Sequence, residues 1–199
     1  MPKLGMEPIR KAALVKATID EIGAAGSLDV TVGQIARRAG MSSALAHHYF
    51  GNKEQMFLAA MRHVLSIYGA EVRGSLATAE GPRARLHAIV RVSFAAGSFR
   101  REVVGAWLNF YVLAQTVPEA KRLLRVYQRR LRSNLRAELR PLVGARAEEV
   151  ADGVGAMIDG VYIREALSDR APDGAAAARL VLAYLAGQIA AQPAGPAGG

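Results

Sequence analysis

The chain has no cysteine in its 199 residues. That absence excludes a disulfide framework, a thiolate metal site and a cysteine nucleophile. Aromatic residues are scarce at 6%, with a single tryptophan, and no stretch sustains the strand-like alternation of β-branched and polar residues. Long apolar runs are missing as well. A membrane-spanning helix takes about 20 predominantly apolar residues, whereas the uncharged stretch 103–118 is shorter and contains Asn109, Gln115 and Thr116. Residues 180–199 are uncharged too, but their second half is rich in Gly and Pro. The opening MPKLGMEP lacks the apolar core of roughly 7–15 residues found in a signal peptide. A soluble, cytoplasmic protein is the expectation. There is also no phosphate loop, no dinucleotide fingerprint and no metal-ligating quartet. His47, His48, His63 and His87 are scattered along helical stretches with no nucleophile set beside them. The residues therefore argue against an enzyme and call for no metal or cofactor.

Negative charge is the remaining deficit. Lys and Arg number 26 against 17 Asp and Glu, a formal net charge of +9, which favours a polyanionic partner. Its distribution weakens that inference, because residues 1–60 carry seven basic and five acidic side chains while eight basic residues crowd between Lys121 and Arg140. The latter spread around their helix and read best as a solvated face. Within the first 16 residues, Lys3, Arg10, Lys11 and Lys16 face only Glu7.

What is abundant is helix-forming material: 51% of residues are hydrophobic, with Ala, Leu and Arg dominant. The fold class is all-α. Residues 1–8 read as a basic arm, and a first helix covers 8–25 with Ile9, Ala13, Ala17 and Ile22 among its apolar positions. A long helix over about 53–76 presents Met56, Ala60, Val64, Ile67 and Val72 as its inner stripe. Further helices follow over about 83–97, 101–115, 119–140 (stopping at Pro141), 146–167 and 174–190. PAGPAGG closes the chain as a disordered tail over 193–199.

Between the first helix and the long one lies the most informative stretch, TVGQIARRAGMSSALAHHYF at 31–50. Val32, Ile35, Ala36 and Ala39 are spaced for one face of a short helix. Thr31 is a good N-cap, and Gln34 stands where its capping-box partner belongs. Gly40 stops that helix, since glycine alone takes the left-handed conformation without cost. Ser42 then caps a second short helix carrying Leu45, Ala46, Tyr49 and Phe50. Two short helices joined by a tight glycine turn make a helix-turn-helix, the unit that lays its second helix in the DNA major groove.

Residues 31–54 resemble the signature of the TetR family of bacterial repressors: Thr31, Ile35-Ala36, Ala39-Gly40-Met41-Ser42, Tyr49-Phe50 and Lys53-Glu54 all match. Ala44 departs from it where glycine is usual, and His47 where an aromatic is usual. MPKLGMEPIR, LAHHYFGNKEQ and MIDGVYIREAL narrow the likeness to the BetI-type, choline-responsive repressors of glycine betaine synthesis. The resemblance runs from residue 1 to about 170. It implies a nine-helix architecture. Residues 1–52 would form an N-terminal DNA-binding domain, and 53–192 a C-terminal ligand-binding and dimerisation domain.

On this reading the DNA face comprises Thr31, Gln34, Ser42, Ser43, Ala44, Leu45, His47, His48, Tyr49 and Lys53. Small and hydroxyl-bearing residues at the start of the second helix allow close approach, and free N–H groups there favour phosphate. The resemblance makes Tyr49 and Lys53 phosphate clamps, which fix register without reading sequence. Leu45, Tyr49 and Phe50 can equally pack the small domain. Arg37 and Arg38 suit either a phosphate contact or simple complementation of a helix C-terminus.

Trp107, Phe110 and Tyr111 share a helix face at i, i+3 and i+4. Such a cluster is ordinarily core, but rings with negative faces also hold quaternary ammonium groups, and the resemblance implies choline as effector. Asp159 and Tyr162, three apart, would close that cage. Asp159 lies in an apolar run and needs a partner, either a ligand or an arginine such as Arg91 or Arg129. Phe94 and Tyr127 are weaker cage candidates. The last two helices, with Val150, Val154, Ile158, Val161, Leu180, Tyr184 and Ile189, suit either ordinary core or a homodimer interface. Two other functions stay open: a TetR-type regulator of another small molecule such as an efflux substrate, and an architectural DNA-binding protein with no effector.

Overall fold

The computed structural model describes residues 5–191. The disordered tail expected at 193–199 lies outside the described residues, as does the first half of the basic arm. Most of the arm's second half belongs to the first helix: α1 runs Met6–Ala25. Then come α2 (Val32–Arg38), α3 (Ser43–Phe50), α4 (Lys53–Thr78), α5 (Gly81–Ser93), α6 (Arg101–Thr116), α7 (Pro118–Val143), α8 (Ala147–Ala166) and α9 (Gly174–Ala190), with a 3₁₀ turn at Gly144–Arg146 before α8. Among the described residues no strand occurs, no helix is long and apolar enough to cross a membrane, and no side-chain group is arranged to hold a metal.

The chain divides into two compact units that do not follow a boundary at residue 52. The first comprises residues 1–67 and 100–124, so α6 belongs with the helix-turn-helix. Its core is filled by Leu14, Ile22, Ile35, Phe57, Leu58, Met61 and Phe110, all essentially inaccessible. The most extensive packing there is α1 against α6, and glycine makes it possible. A Cβ on Gly23 would stand 2.2 Å from the backbone oxygen of Glu102, and one on Gly105 would stand 3.1 Å from the oxygen of Gly23. Arg100 adds an ion pair to Asp20 at 3.3 Å.

The second unit comprises residues 68–99 and 125–199. Leu86, Ile89, Leu135, Leu139, Val154, Ile158, Val181 and Leu185 are buried in it. Here α9 packs on α5 and α8. Arg85 ties α5 to α7 through Glu138 at 2.7 Å and also donates to the Leu76 carbonyl at 3.0 Å. The basic stretch of α7 is a solvated face, as expected. Arg132 pairs with Asp152, and Arg136 with Glu148, all largely exposed.

Several apolar positions fall outside the stripes expected for them. Ile9 and Ile67 are exposed, because α1 buries Leu14, Val15, Ala17, Thr18, Ile19 and Ile22 instead, and because the inner face of α4 carries Val64 and Val72, with Tyr68 and Glu71 between them in the same register. On α9 the buried set is Ala177, Ala178, Val181 and Leu185, which leaves Leu180 exposed. Helix α5 ends four residues before the expected limit. Helix α7 runs past Pro141 to Val143; proline lacks the backbone donor but its fixed φ is helical, so near a helix end it removes one bond without turning the chain.

Candidate functional site

The helix-turn-helix is built by short-range bonds that its own residues supply. The Thr31 hydroxyl accepts from the Gln34 N–H at 3.2 Å, while Gln34 Oε1 accepts from the Thr31 N–H at 2.7 Å, completing a capping box. At the other end Gly40 takes φ 68°. Its N–H donates to the Arg37 carbonyl at 3.0 Å and the Met41 N–H to the Ala36 carbonyl at 2.9 Å, the paired bonds of a Schellman stop. Ser42 caps α3 by accepting from the Leu45 N–H at 3.2 Å. Ile35, Ala36 and Ala46 are buried beneath these ends, which fixes the turn between the two helices.

That leaves Ser42, Ser43, Ala44, His47 and His48 exposed along α3, with Leu45, Tyr49 and Phe50 half-buried. Thr31 and Gln34 are exposed but committed to each other as a cap. His47 Nδ1 lies 2.5 Å from the Gly51 carbonyl. Donating there places the proton of a neutral ring on Nδ1 and makes Nε2 an acceptor, suited to a base amino group rather than to phosphate. Lys53 donates to the Leu28 carbonyl at 2.5 Å, so one of its three protons is already used within the protein. Arg38 is paired with Glu21 of α1, which makes it a brace between α1 and α2, whereas Arg37 is exposed.

Tyr49 is held from α1. Lys11 Nζ sits 5.6 Å from the centre of its ring, and the same ammonium lies 2.7 Å from Glu7. Hydrogen bonding to Lys11 holds the Glu7 carboxyl below its ordinary value. A cation over one ring face and the His48 ring 5.6 Å away restrict where the phenol can point. Sequence reading had missed Lys11 as a positioning residue; only the arrangement of α1 beside α3 reveals it.

The five residues expected to form one aromatic cage divide between the units. Trp107, Phe110 and Tyr111 lie in the first, where Trp107 is 5.7 Å from each of the other two rings and Phe110 meets Phe57 edge-on at 6.4 Å. Phe110 is wholly buried and Trp107 only 5% exposed. Asp159 and Tyr162 lie in the second unit, on α8. There Tyr162 stacks on Phe94 at 5.8 Å and meets Phe99 edge-on at 4.9 Å, and its hydroxyl donates to the Ser93 carbonyl at 2.5 Å. Burial first, then the neighbouring Tyr68, Asp159 and Glu71, push the Tyr162 phenol far above its ordinary value, so it keeps its proton. Asp159 also lines a groove of about 450 Å³ between α7 and α8, together with Arg125, Gln128, Arg129 and Arg132.

Comparison with known proteins agrees with this arrangement. Residues 14–60 match the family described as bacterial regulatory proteins, tetR family, and residues 82–190 match the BetI-type transcriptional repressor, C-terminal. The HTH-type transcriptional regulator BetI of Brucella suis biovar 1 is 53% identical over 194 residues, covering 97% of this chain and 98% of that protein. BetI of Agrobacterium fabrum strain C58 is 48% identical over 196 residues, 98% of this chain and 95% of the relative. Among solved structures, a transcriptional regulator from Pseudomonas aeruginosa PAO1 superposes with a TM-score of 0.75 at 26% identity, covering 94% of this chain and 93% of its own. A regulator from Saccharomonospora viridis, solved in complex with choline, shares the fold with a TM-score of 0.76 at 20% identity, over 88% of this chain and 95% of its own. With a helix-turn-helix built from its own caps and a match that runs nearly end to end, the chain belongs to the TetR family, as a ligand-responsive transcriptional repressor of the BetI type and not an enzyme.

Proposed function

We propose that this repressor acts in the cytoplasm on the genes that convert choline to glycine betaine, with choline as inducer. It binds as a homodimer to a palindromic operator, whose two recognition helices enter successive major grooves about 34 Å apart. The observation that carries the reading is the BetI-type match over residues 82–190, supported by near-full-length identity to BetI proteins.

Ile163 on α8 and Leu180 on α9 are apolar and exposed, which is compatible with dimerisation through those two helices. DNA contact is assigned to Ser42, Ser43, Ala44, Leu45, His47, His48, Tyr49 and Lys53, with Thr31 and Gln34 setting the end of α2 beside them. The effector site is assigned to the second unit, around Asp159 and Tyr162. Choline binding favours the conformation with lower operator affinity, and the shift can be no larger than choline's preference for that conformation.

The test is an operator mobility shift in choline, betaine and betaine aldehyde, paired with calorimetric titration of each. Choline is expected to bind and to release the operator. An operator complex indifferent to all three removes choline-pathway control. Operator affinity is also expected to fall steeply with salt, with log K declining by about 0.9 for each phosphate neutralised per decade of salt; a flat profile between 50 and 200 mM salt, a range over which phosphate-dominated complexes typically lose at least about a thousandfold, removes the phosphate clamps.

A further inference from the structure

Tyr68 and Glu71, both half-buried, lie about one helical turn apart beside the buried Val72 of α4, in the second unit. Around them the unit gathers most of its aromatic residues. Tyr68 meets Tyr127 at 5.8 Å, and Phe94, Phe99 and Tyr162 form a three-ring cluster with centres 4.9–5.8 Å apart. The two groups of rings converge on Ser93. Its hydroxyl donates to the Ile89 carbonyl at 3.0 Å, so across the 3.3 Å separation from Tyr68 it acts as acceptor and the Tyr68 hydroxyl as donor. The Tyr162 hydroxyl donates to the Ser93 carbonyl. All three hydroxyl protons are therefore spent inside the cluster.

Glu71 is left with a demand the cluster does not meet. Its Oε2 is buried and accepts no hydrogen bond, and its Oε1 lies 4.0 Å from where a Cβ on Gly97 would stand, so the carboxylate faces the turn that follows α5. An unmet buried acceptor is costly, and a charged one more so. Burial pushes the Tyr68 hydroxyl up to about 12, and Asp159 adds to the shift as a second negative charge felt at both phenols. Ring faces, phenol oxygens and the Glu71 carboxylate here present negative potential, and Glu71 Oε2 lacks a donor.

We propose that Glu71, Tyr68, Asp159 and Tyr162 form a subsite for a quaternary ammonium ion that carries a hydroxyl group, with that hydroxyl donating to Glu71 Oε2 and the cation lying against the rings. The inference rests on the effector reading above and adds to it a reason for specificity. A trimethylated nitrogen has no proton to give, so it is held by charge and ring faces alone, and the only donor on such a ligand is its hydroxyl. Oxidation of that hydroxyl to a carboxylate removes the donor and sets a negative charge against Glu71 and Asp159. The subsite thus separates the alcohol from the corresponding acid although both carry the same cation.

Calorimetric titration of the full-length protein with choline, ethyltrimethylammonium and glycine betaine tests this, on the native sequence and on Glu71→Gln. The native protein is expected to prefer choline to ethyltrimethylammonium by about tenfold or more, since a charged acceptor left without its donor costs at least that much, and to reject glycine betaine. Glu71→Gln, whose neutral amide oxygen is a weaker acceptor, is expected to weaken choline about tenfold and to reduce the preference for the hydroxyl. Equal affinity of the native protein for choline and ethyltrimethylammonium overturns the proposal, as does a folded Glu71→Gln that discriminates as before. If the variant does not fold, the comparison of ligands on the native protein decides alone. Failure of the native protein to bind choline at all sinks the effector reading instead, which keeps the two failures distinct.

Discussion

Gly23→Ala lowers the melting temperature by roughly 6–12 °C. The usual expectation for glycine within a helix is the reverse, because alanine is favoured there by about 1 kcal/mol. At Gly23 that gain is overwhelmed. The added methyl would stand 2.2 Å from the Glu102 carbonyl oxygen and 2.4 Å from its Cα. Both are backbone atoms of α6, so no rotamer change relieves them and the helices must separate. Overpacking of this kind costs typically 1–3 kcal/mol and occasionally more; with the obstruction in backbone, a net loss of about 3 kcal/mol is expected, and about 2–4 °C accompanies each kcal/mol in a protein of this size. Gly74→Ala is the internal control. It is helical, exposed and free of neighbours within 4 Å of the new methyl, so it is expected to raise the melting temperature slightly. Thermal melts of the two variants check this; a Gly23→Ala protein as stable as the native one would mean that α1 and α6 do not cross this closely.

That close crossing also marks where sequence reading stops. The helix-turn-helix was fully legible: Thr31, Gln34, Gly40 and Ser42 act within a few residues of themselves, and each bond expected of them forms. For the α8 stripe, which suited either ordinary core or a homodimer interface, the structure decides for core: Val150, Val154 and Ile158 are buried within the chain. Gly23 and Gly105 gave no such signal, because their meaning depends on a partner some eighty residues away in the chain. The end of α5 was misjudged for the same reason. Phe94 leaves the helix to pack on Phe99 and Tyr162, and its carbonyl lies so near Gly174 that a Cβ there would come within 2.1 Å.

The residues proposed for the effector show the limit most plainly. Spacing placed Trp107, Phe110 and Tyr111 on one face, as they are, but spacing does not say what a face meets; in the first unit Phe110 meets Phe57 edge-on. Tyr68 and Glu71 were legible in principle. The half-buried Tyr68 and Glu71 lie between the buried Val64 and Val72 of α4, and a glutamate at such a position is a polar residue in apolar company. Taking Ile67 for the inward residue turned the stripe by one position and hid them.

Tyr49 carries the second large effect. If its phenol donates to a phosphate, losing that bond removes about 1.5–3 kcal/mol per recognition helix, the range for hydrogen bonds to charged groups. A dimer repeats the loss, so Tyr49→Ala is expected to weaken operator binding by about 3–6 kcal/mol, more than a hundredfold. The ring has a second role, as the surface under Lys11, and Tyr49→Phe separates the two. The phenylalanine variant keeps the ring, and with it the Glu7–Lys11 bridge to α1, but has no proton to give. It is therefore expected to fall nearly as far as the alanine variant. Because a phosphate contact carries no sequence information, affinity for unrelated duplex should fall alongside, leaving the ratio of specific to non-specific binding close to the native value. Mobility shifts on operator and random duplex at one salt concentration supply all of these numbers. Native affinity in Tyr49→Phe would reduce Tyr49 to a support for Lys11, and a collapse of the ratio would make it a reader of bases rather than a clamp.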